Sequence, residues 1–131
     1  MDGSARSLIW TSATELLVHE FVDGDTRLVK RPIGPGGDPM NPTYPVLRAS
    51  AQYVTAFSGS RDGRITAGVV QSFLHGPEVN AGPSLGSAIT SVNAAIRPAW
   101  GEAKSLHWKS GQLTIQGWLL YPKPFDPSRK Y

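Results

Sequence analysis

Gly82-Pro83-Ser84-Leu85-Gly86 is the stretch whose residue types most directly suggest chemistry. G-x-S-x-G is the pattern in which a strand hands a nucleophilic serine to a sharp turn. A helix must begin at once behind the serine, so that a backbone N–H can meet a developing oxyanion. Here the apolar run ahead of Ser84 spans only about four residues, and β-branched Ile89, Thr90 and Val92 follow where a helix is needed. The possible partners come in the order His107 then Asp126, the reverse of the Asp-then-His order of such elbows, although other folds use other orders. The local shape therefore predicts a proline-glycine turn between strands, not a nucleophile. A compact hydrolase using Ser84 stands as a third reading behind the two given below.

His19, His75 and His107 match no H-x-x-x-H spacing, and no carboxylate pair sits beside two of them at ligand distance in sequence. His19 and His107 fall within strand-like runs, where a histidine facing solvent or bonded to a neighbour is ordinary. Asp23, Asp25 and Asp62 could open a calcium loop, but Asp23-Gly24-Asp25 lacks the later oxygen ligands and the closing glutamate. Turn chemistry accounts for all three. Trp10, Trp100, Trp108 and Trp118, with Tyr121 and Phe125, could form a sugar or peptide platform if exposed. Packing is the expected role, because aromatic side chains are mostly buried. No catalytic, cofactor-binding or metal-ligating residue is assigned, and no cofactor is expected.

The elements that would hold these residues read as β-strands throughout. Residues 7–11 and 16–22 are strand-like, and Asp23-Gly24 is a dipeptide that accepts the positive φ of a type I′ hairpin. Residues 27–30 form the return strand. Five prolines and three glycines between residues 31 and 45 predict a long surface loop. Residues 53–58 and 65–73 flank Arg61-Asp62-Gly63 in the same manner, so the two Asp-Gly turns lie about 39 residues apart, close to a propeller-blade period. Turns at 75–77 and 82–83 then separate short strands over 78–81 and 88–92. Leu106 to Lys109 and Leu113 to Tyr121, separated by Ser110-Gly111, predict a hairpin in which Trp108 and Trp118 touch if the register allows. Pro122, Pro124 and Pro127 end the pairing, since proline has no N–H for a ladder. No segment repeats apolar residues at three and four positions for long enough to predict an amphipathic helix.

Composition agrees with an all-β chain: 14 glycines, 11 prolines and 18% charged residues in 131 positions. That length allows one domain burying roughly two thirds of its unfolded surface. The net charge of +3 arises from scattered Lys and Arg, with no run of the kind that tracks phosphates, so no nucleic-acid partner is expected. No apolar run reaches the roughly 20 residues of a membrane helix, and no apolar segment follows the first residues as a signal peptide requires, so no membrane partner is expected. The absence of cysteine excludes disulfides and thiolate sites. The compartment stays open between cytoplasm and periplasm for a soluble protein.

The carboxyl-terminal third carries a family resemblance. Pro98-Ala-Trp-Gly-Glu-Ala-Lys-Ser105, Trp108-Lys-Ser-Gly111, Gln116-Gly-Trp-Leu-Leu-Tyr-Pro122 and Phe125-Asp-Pro-Ser-Arg-Lys-Tyr131 together resemble the propeller-to-hydrolase junction of the prolyl oligopeptidase family of serine peptidases, the dipeptidyl-peptidase and acylaminoacyl-peptidase-like enzymes. Phe73-Leu-His-Gly-Pro-Glu-Val-Asn-Ala-Gly-Pro83 is similar to a strand and proline turn in the closing blade of that family, departing from it at Asn80, where an aromatic is expected. The resemblance implies partial β-propeller blades over residues 1–97, and a linker with the first hairpin of an α/β-hydrolase domain over 98–131. It further implies a non-catalytic portion of a peptidase that cleaves short peptides, with the Ser-His-Asp triad outside these residues. The partners it implies are short peptide substrates, the rest of the propeller and the hydrolase domain. The alternative is a stand-alone β-rich interaction module without hydrolase activity.

Overall fold

The computed structural model describes residues 4–36, 46–50 and 52–131. β1 (Ser4–Ser12), β2 (Glu15–Val22), β3 (Asp25–Pro32) and β4 (Val46–Ser50) form one antiparallel sheet in chain order. β5 (Tyr53–Gly59), β6 (Thr66–Gln71), β7 (Glu78–Gly82) and β8 (Ser87–Ala88) form a second with the same up-and-down order. β9 (Trp100–Ser110) and β10 (Leu113–Pro122) make a two-stranded ribbon. The fold is all-β, with no α-helix, no closed ring of sheets and no helix-covered parallel sheet among the described residues. No helix there is long and apolar enough to cross a membrane.

The β2–β3 hairpin follows from two residues. Asp23 has φ 53° and Gly24 φ 80°, so both central positions of the turn lie in the left-handed region that a type I′ hairpin demands. Val22 then pairs with Asp25, and the register runs unbroken to Glu15 and Pro32. β3 extends to Pro32, two residues beyond the expected return strand. Most of the expected proline-rich loop, residues 37–45, lies outside the described residues.

The two four-stranded sheets stack face to face. Leu17 and Leu28 of the first meet Val54, Val70 and Leu85 of the second, with Ile9 and Phe57 packed at the margin. Leu85 comes from a 3-10 turn, Pro83–Leu85, and is fully buried. That burial contributes about 2 kcal/mol by transfer from water. It is possible because Gly68 has no side chain: a Cβ there would stand 3.2 Å from both Leu85 and Val54. The turn's buried polar groups are met by Thr66, whose Oγ1 accepts from the Leu85 N–H at 2.7 Å and donates to the Gly82 carbonyl at 3.1 Å.

β8 is shorter than the strand expected over 88–92. The Glu78 carboxylate replaces its outer rungs, accepting from the Thr90 hydroxyl and from the backbone N–H groups of Val92 and Asn93. Thr90 Oγ1 itself accepts from the Val79 N–H at 2.9 Å. Side chains thus continue the pairing after the ladder stops.

The ribbon turns at Gly111 (φ 59°) and Gln112, one position after the expected Ser110-Gly111, and β9 starts at Trp100, well before Leu106. Its register pairs Trp108 with Ile115 and Trp118 with Ser105. Side chains alternate across a strand, so the two tryptophans lie on opposite faces and the expected contact between them does not form. Trp108 instead covers Gly117 on the neighbouring strand, where an added Cβ would fall 2.8 Å from the indole. On that face Leu106, Trp108, Leu113 and Leu119 are all exposed. The other face carries His107, Gln116 and Trp118 towards the two sheets.

Candidate functional site

Four segments that are far apart in sequence close around one cavity of about 340 Å³. The type I′ turn contributes Phe21, Gly24 and Asp25, the start of β5 contributes Gln52 and Tyr53, the end of β6 contributes Gln71, Ser72 and Phe73, and the ribbon contributes Trp118. Its aromatic wall consists of two pairs. Phe21 meets Tyr53 edge-on, with centroids 6.0 Å apart at 80°. Phe73 meets Trp118 at 5.1 Å and 52°. Thr26 Oγ1, donating to the Gln52 carbonyl at 2.6 Å, joins β3 to the chain entering β5 and so fixes the first pair.

The ribbon is anchored over the cavity at three points. His107 Nε2 lies 2.7 Å from Asp23 Oδ1, and the Gln116 side chain sits where a Cβ on Gly24 would be, 2.6 Å away. Trp100 Nε1 donates to the Phe73 carbonyl at 2.8 Å. Asp23 is thereby occupied, while Asp25 accepts no hydrogen bond and joins no ion pair among the described residues. Burial pushes the Asp25 carboxyl up from its ordinary range, nearby Arg27 opposes that rise, and the Asp23 charge adds to it.

The residues singled out in the sequence are not brought together. Ser84 lies in the 3-10 turn at φ 49°, ψ 45°, and the two-residue β8 follows it instead of a helix. His107 is bound to Asp23, and Asp126 Oδ1 accepts from Ser128, so neither His107 nor Asp126 joins Ser84 in a triad. His75 Nδ1 meets Ser72 Oγ at 3.2 Å within its own turn. Asp62 accepts from Ser60 Oγ and the Arg64 N–H, which is turn capping. No group of three or more His, Asp or Glu able to hold a metal occurs among the described residues.

His19 is bonded to a neighbour, one of the two roles expected of it, but it is buried rather than facing solvent. It is 4% exposed, its Nδ1 is 3.3 Å from Ser7 Oγ, its ring lies 5.4 Å from Phe57, and its Nε2 has no partner. Burial lowers its pKa, with the Arg6 charge adding to the effect.

The aromatic set divides. Trp118 packs on Phe73, and Tyr121, Phe125 and Tyr131 form a small cluster, with centroids 4.4 Å apart for the first pair and 5.8 Å for the second. Trp10 and Trp108 are 56% and 50% exposed, so the packing role expected of them is only half met. Sequence reasoning missed Phe21, Tyr53 and Phe73 as site residues. Each sits at a strand end with no local pattern to mark it. Comparison of the chain with family models, with curated proteins and with solved structures gave no match.

Proposed function

We propose that this chain is the closing part of a β-propeller, over residues 1–97, joined through 98–131 to the first hairpin of the catalytic domain of a serine peptidase. The propeller part governs access of short peptides, and the bond-breaking serine lies outside these residues. The observation that carries the reading is the form of the two stacked sheets. Each is a four-stranded up-and-down meander, the unit of a propeller blade, and they pack face to face as successive blades do. Their outer sides are covered only in part: on the first sheet Leu8 and Trp10 are 58% and 56% exposed beside buried Val18 and Val29, and on the second Ala67, Val69, Val79 and Ala81 are half-buried. Radial repetition would cover both sides. The bare face of the ribbon fits the same reading, because a two-stranded ribbon has no core of its own and needs another layer.

Labelling with a biotinylated fluorophosphonate tests this. The complete product of the coding frame should be labelled on a serine outside residues 1–131 and should hydrolyse chromogenic dipeptide amides. Residues 1–131 alone should stay unlabelled. Label on Ser84 would replace the reading with a compact hydrolase. A complete product that is neither labelled nor active would leave the interaction module in its place.

A further inference from the structure

We propose that the cavity bounded by Phe21, Tyr53, Phe73 and Trp118 binds an organic cation, an alkylammonium group seated against the Asp25 carboxylate and the aromatic rings. The inference stands on the cavity alone and does not require the peptidase reading.

Two independent features of the cavity favour a cation. The first is the wall: four aromatic side chains from four segments, whose ring faces are electronegative and attract an ammonium within about 6 Å of a centroid. The Arg6 guanidinium lies 5.7 Å from the Phe21 centroid, so one of these rings already holds positive charge within the molecule. The second is Asp25. Neighbouring carboxylates have close partners, Glu15 with Lys30, Glu20 with Arg31 and Asp23 with the His107 ring. The Asp25 carboxylate makes no close ion pair among the described residues, Arg27 acting on it only at longer range, although it lines the cavity and is partly withdrawn from water. An unpaired carboxylate in such a place costs stability that a bound cation restores.

The same features select against other ligands. A metal ion needs at least three well-placed donors, and no such cluster exists among the described residues. An anion would meet Asp25. The cavity's 340 Å³ lies at the small end of ligand sites, which suits an ammonium head with a short substituent.

Titration calorimetry on the 131-residue chain tests this with two charged probes and their neutral counterparts. Choline is compared with 3,3-dimethylbutan-1-ol, which replaces the ammonium nitrogen by carbon. Alanyl-alaninamide, with a free amino terminus, is compared with its N-acetyl form. At least one charged probe should bind about 10-fold more tightly than its neutral counterpart. Choline alone would mark a small-molecule source, and the peptide amide alone would mark a peptide amino terminus. Asp25→Asn should reduce that preference to nearly nothing while leaving the far-ultraviolet circular dichroism unchanged. Trp118→Leu should weaken binding and remove the fluorescence change on titration.

Equal binding of charged and neutral probes overturns the proposal, as does no binding of any probe or an Asp25→Asn chain that keeps the preference. If Asp25→Asn does not fold, the charged-against-neutral comparison on the parent chain decides. None of these results bears on where a fluorophosphonate reacts, so this inference and the peptidase reading fail separately.

Discussion

His107 Nε2 lies 2.7 Å from Asp23 Oδ1, across 84 positions of sequence, and this contact fastens the carboxyl-terminal ribbon to the β2–β3 hairpin. Both side chains are partly exposed, 40% and 26%, so the pair is a fastening and not a core interaction. A double-mutant cycle with Asp23→Asn and His107→Gln should give a coupling of about 0.2–1 kcal/mol. Asparagine tolerates the φ of 53° at position 23, so the turn itself should survive. A coupling of zero would show that the ribbon is held by Trp100, Gln116 and Trp118 without this pair.

His19 makes the fold sensitive to acid. Its folded pKa lies below the ordinary 6.5, so its neutral form contributes stability above that value. The contribution is lost as pH falls from there through the folded pKa, because the unfolded chain takes up the proton first. Urea melts at about pH 7.5 and about pH 5 should show lower stability at the acid value. His19→Phe should remove most of that difference while preserving the ring contact with Phe57. An unchanged pH dependence in the variant would place the acid sensitivity elsewhere.

Glu78 should control the segment behind β8. Its carboxyl is held below the ordinary range, first by the Thr90 hydroxyl, then by the Asn93 and Val92 N–H groups. The ionised form therefore supports residues 90–93 above the usual carboxylate range, and that support is lost as pH falls through the lowered pKa. Glu78→Gln should speed amide exchange at Val92 and Asn93 by roughly 3- to 10-fold. Exchange in β2 and β3 should not change. Uniform acceleration across both sheets would mean that Glu78 supports the whole fold.

The bare ribbon face should make the chain self-associate. Leu106, Trp108, Leu113 and Leu119 are each at least 38% exposed and share one side of the ribbon, and its two outer edges are unpaired. Sedimentation should show concentration-dependent association, and melting should fall below about 65 °C. Leu106→Lys with Leu113→Lys should reduce association without lowering the melting temperature. A parent chain that stays monomeric and melts sharply above that temperature would contradict the assignment of this face as unpartnered.

What could be read in the sequence was local. The Asp23-Gly24 turn, the strands on either side and the terminal hairpin follow from positive-φ tolerance, alternation and proline placement within about ten residues. The register of the ribbon was beyond that reach, because a shift of one residue moves Trp108 and Trp118 to new faces and nothing nearby in sequence fixes it. β8 was overestimated for a related reason: β-branched Ile89, Thr90 and Val92 favour a strand, but Glu78, a dozen residues away, takes over the hydrogen bonds. The cavity was invisible because its walls come from Phe21, Tyr53, Phe73 and Trp118, which meet only after three sheets have assembled.

The side chain that fills the seam between the sheets enters late in the chain, after the three longer strands of its own sheet are complete. A nascent polypeptide exposed only as far as Gly82 would hold those strands and the Thr66 hydroxyl, yet lack Leu85. The seam would then contain a leucine-sized void, at a penalty of about 3–5 kcal/mol. Firm docking of one sheet on the other must therefore wait for three more residues of synthesis.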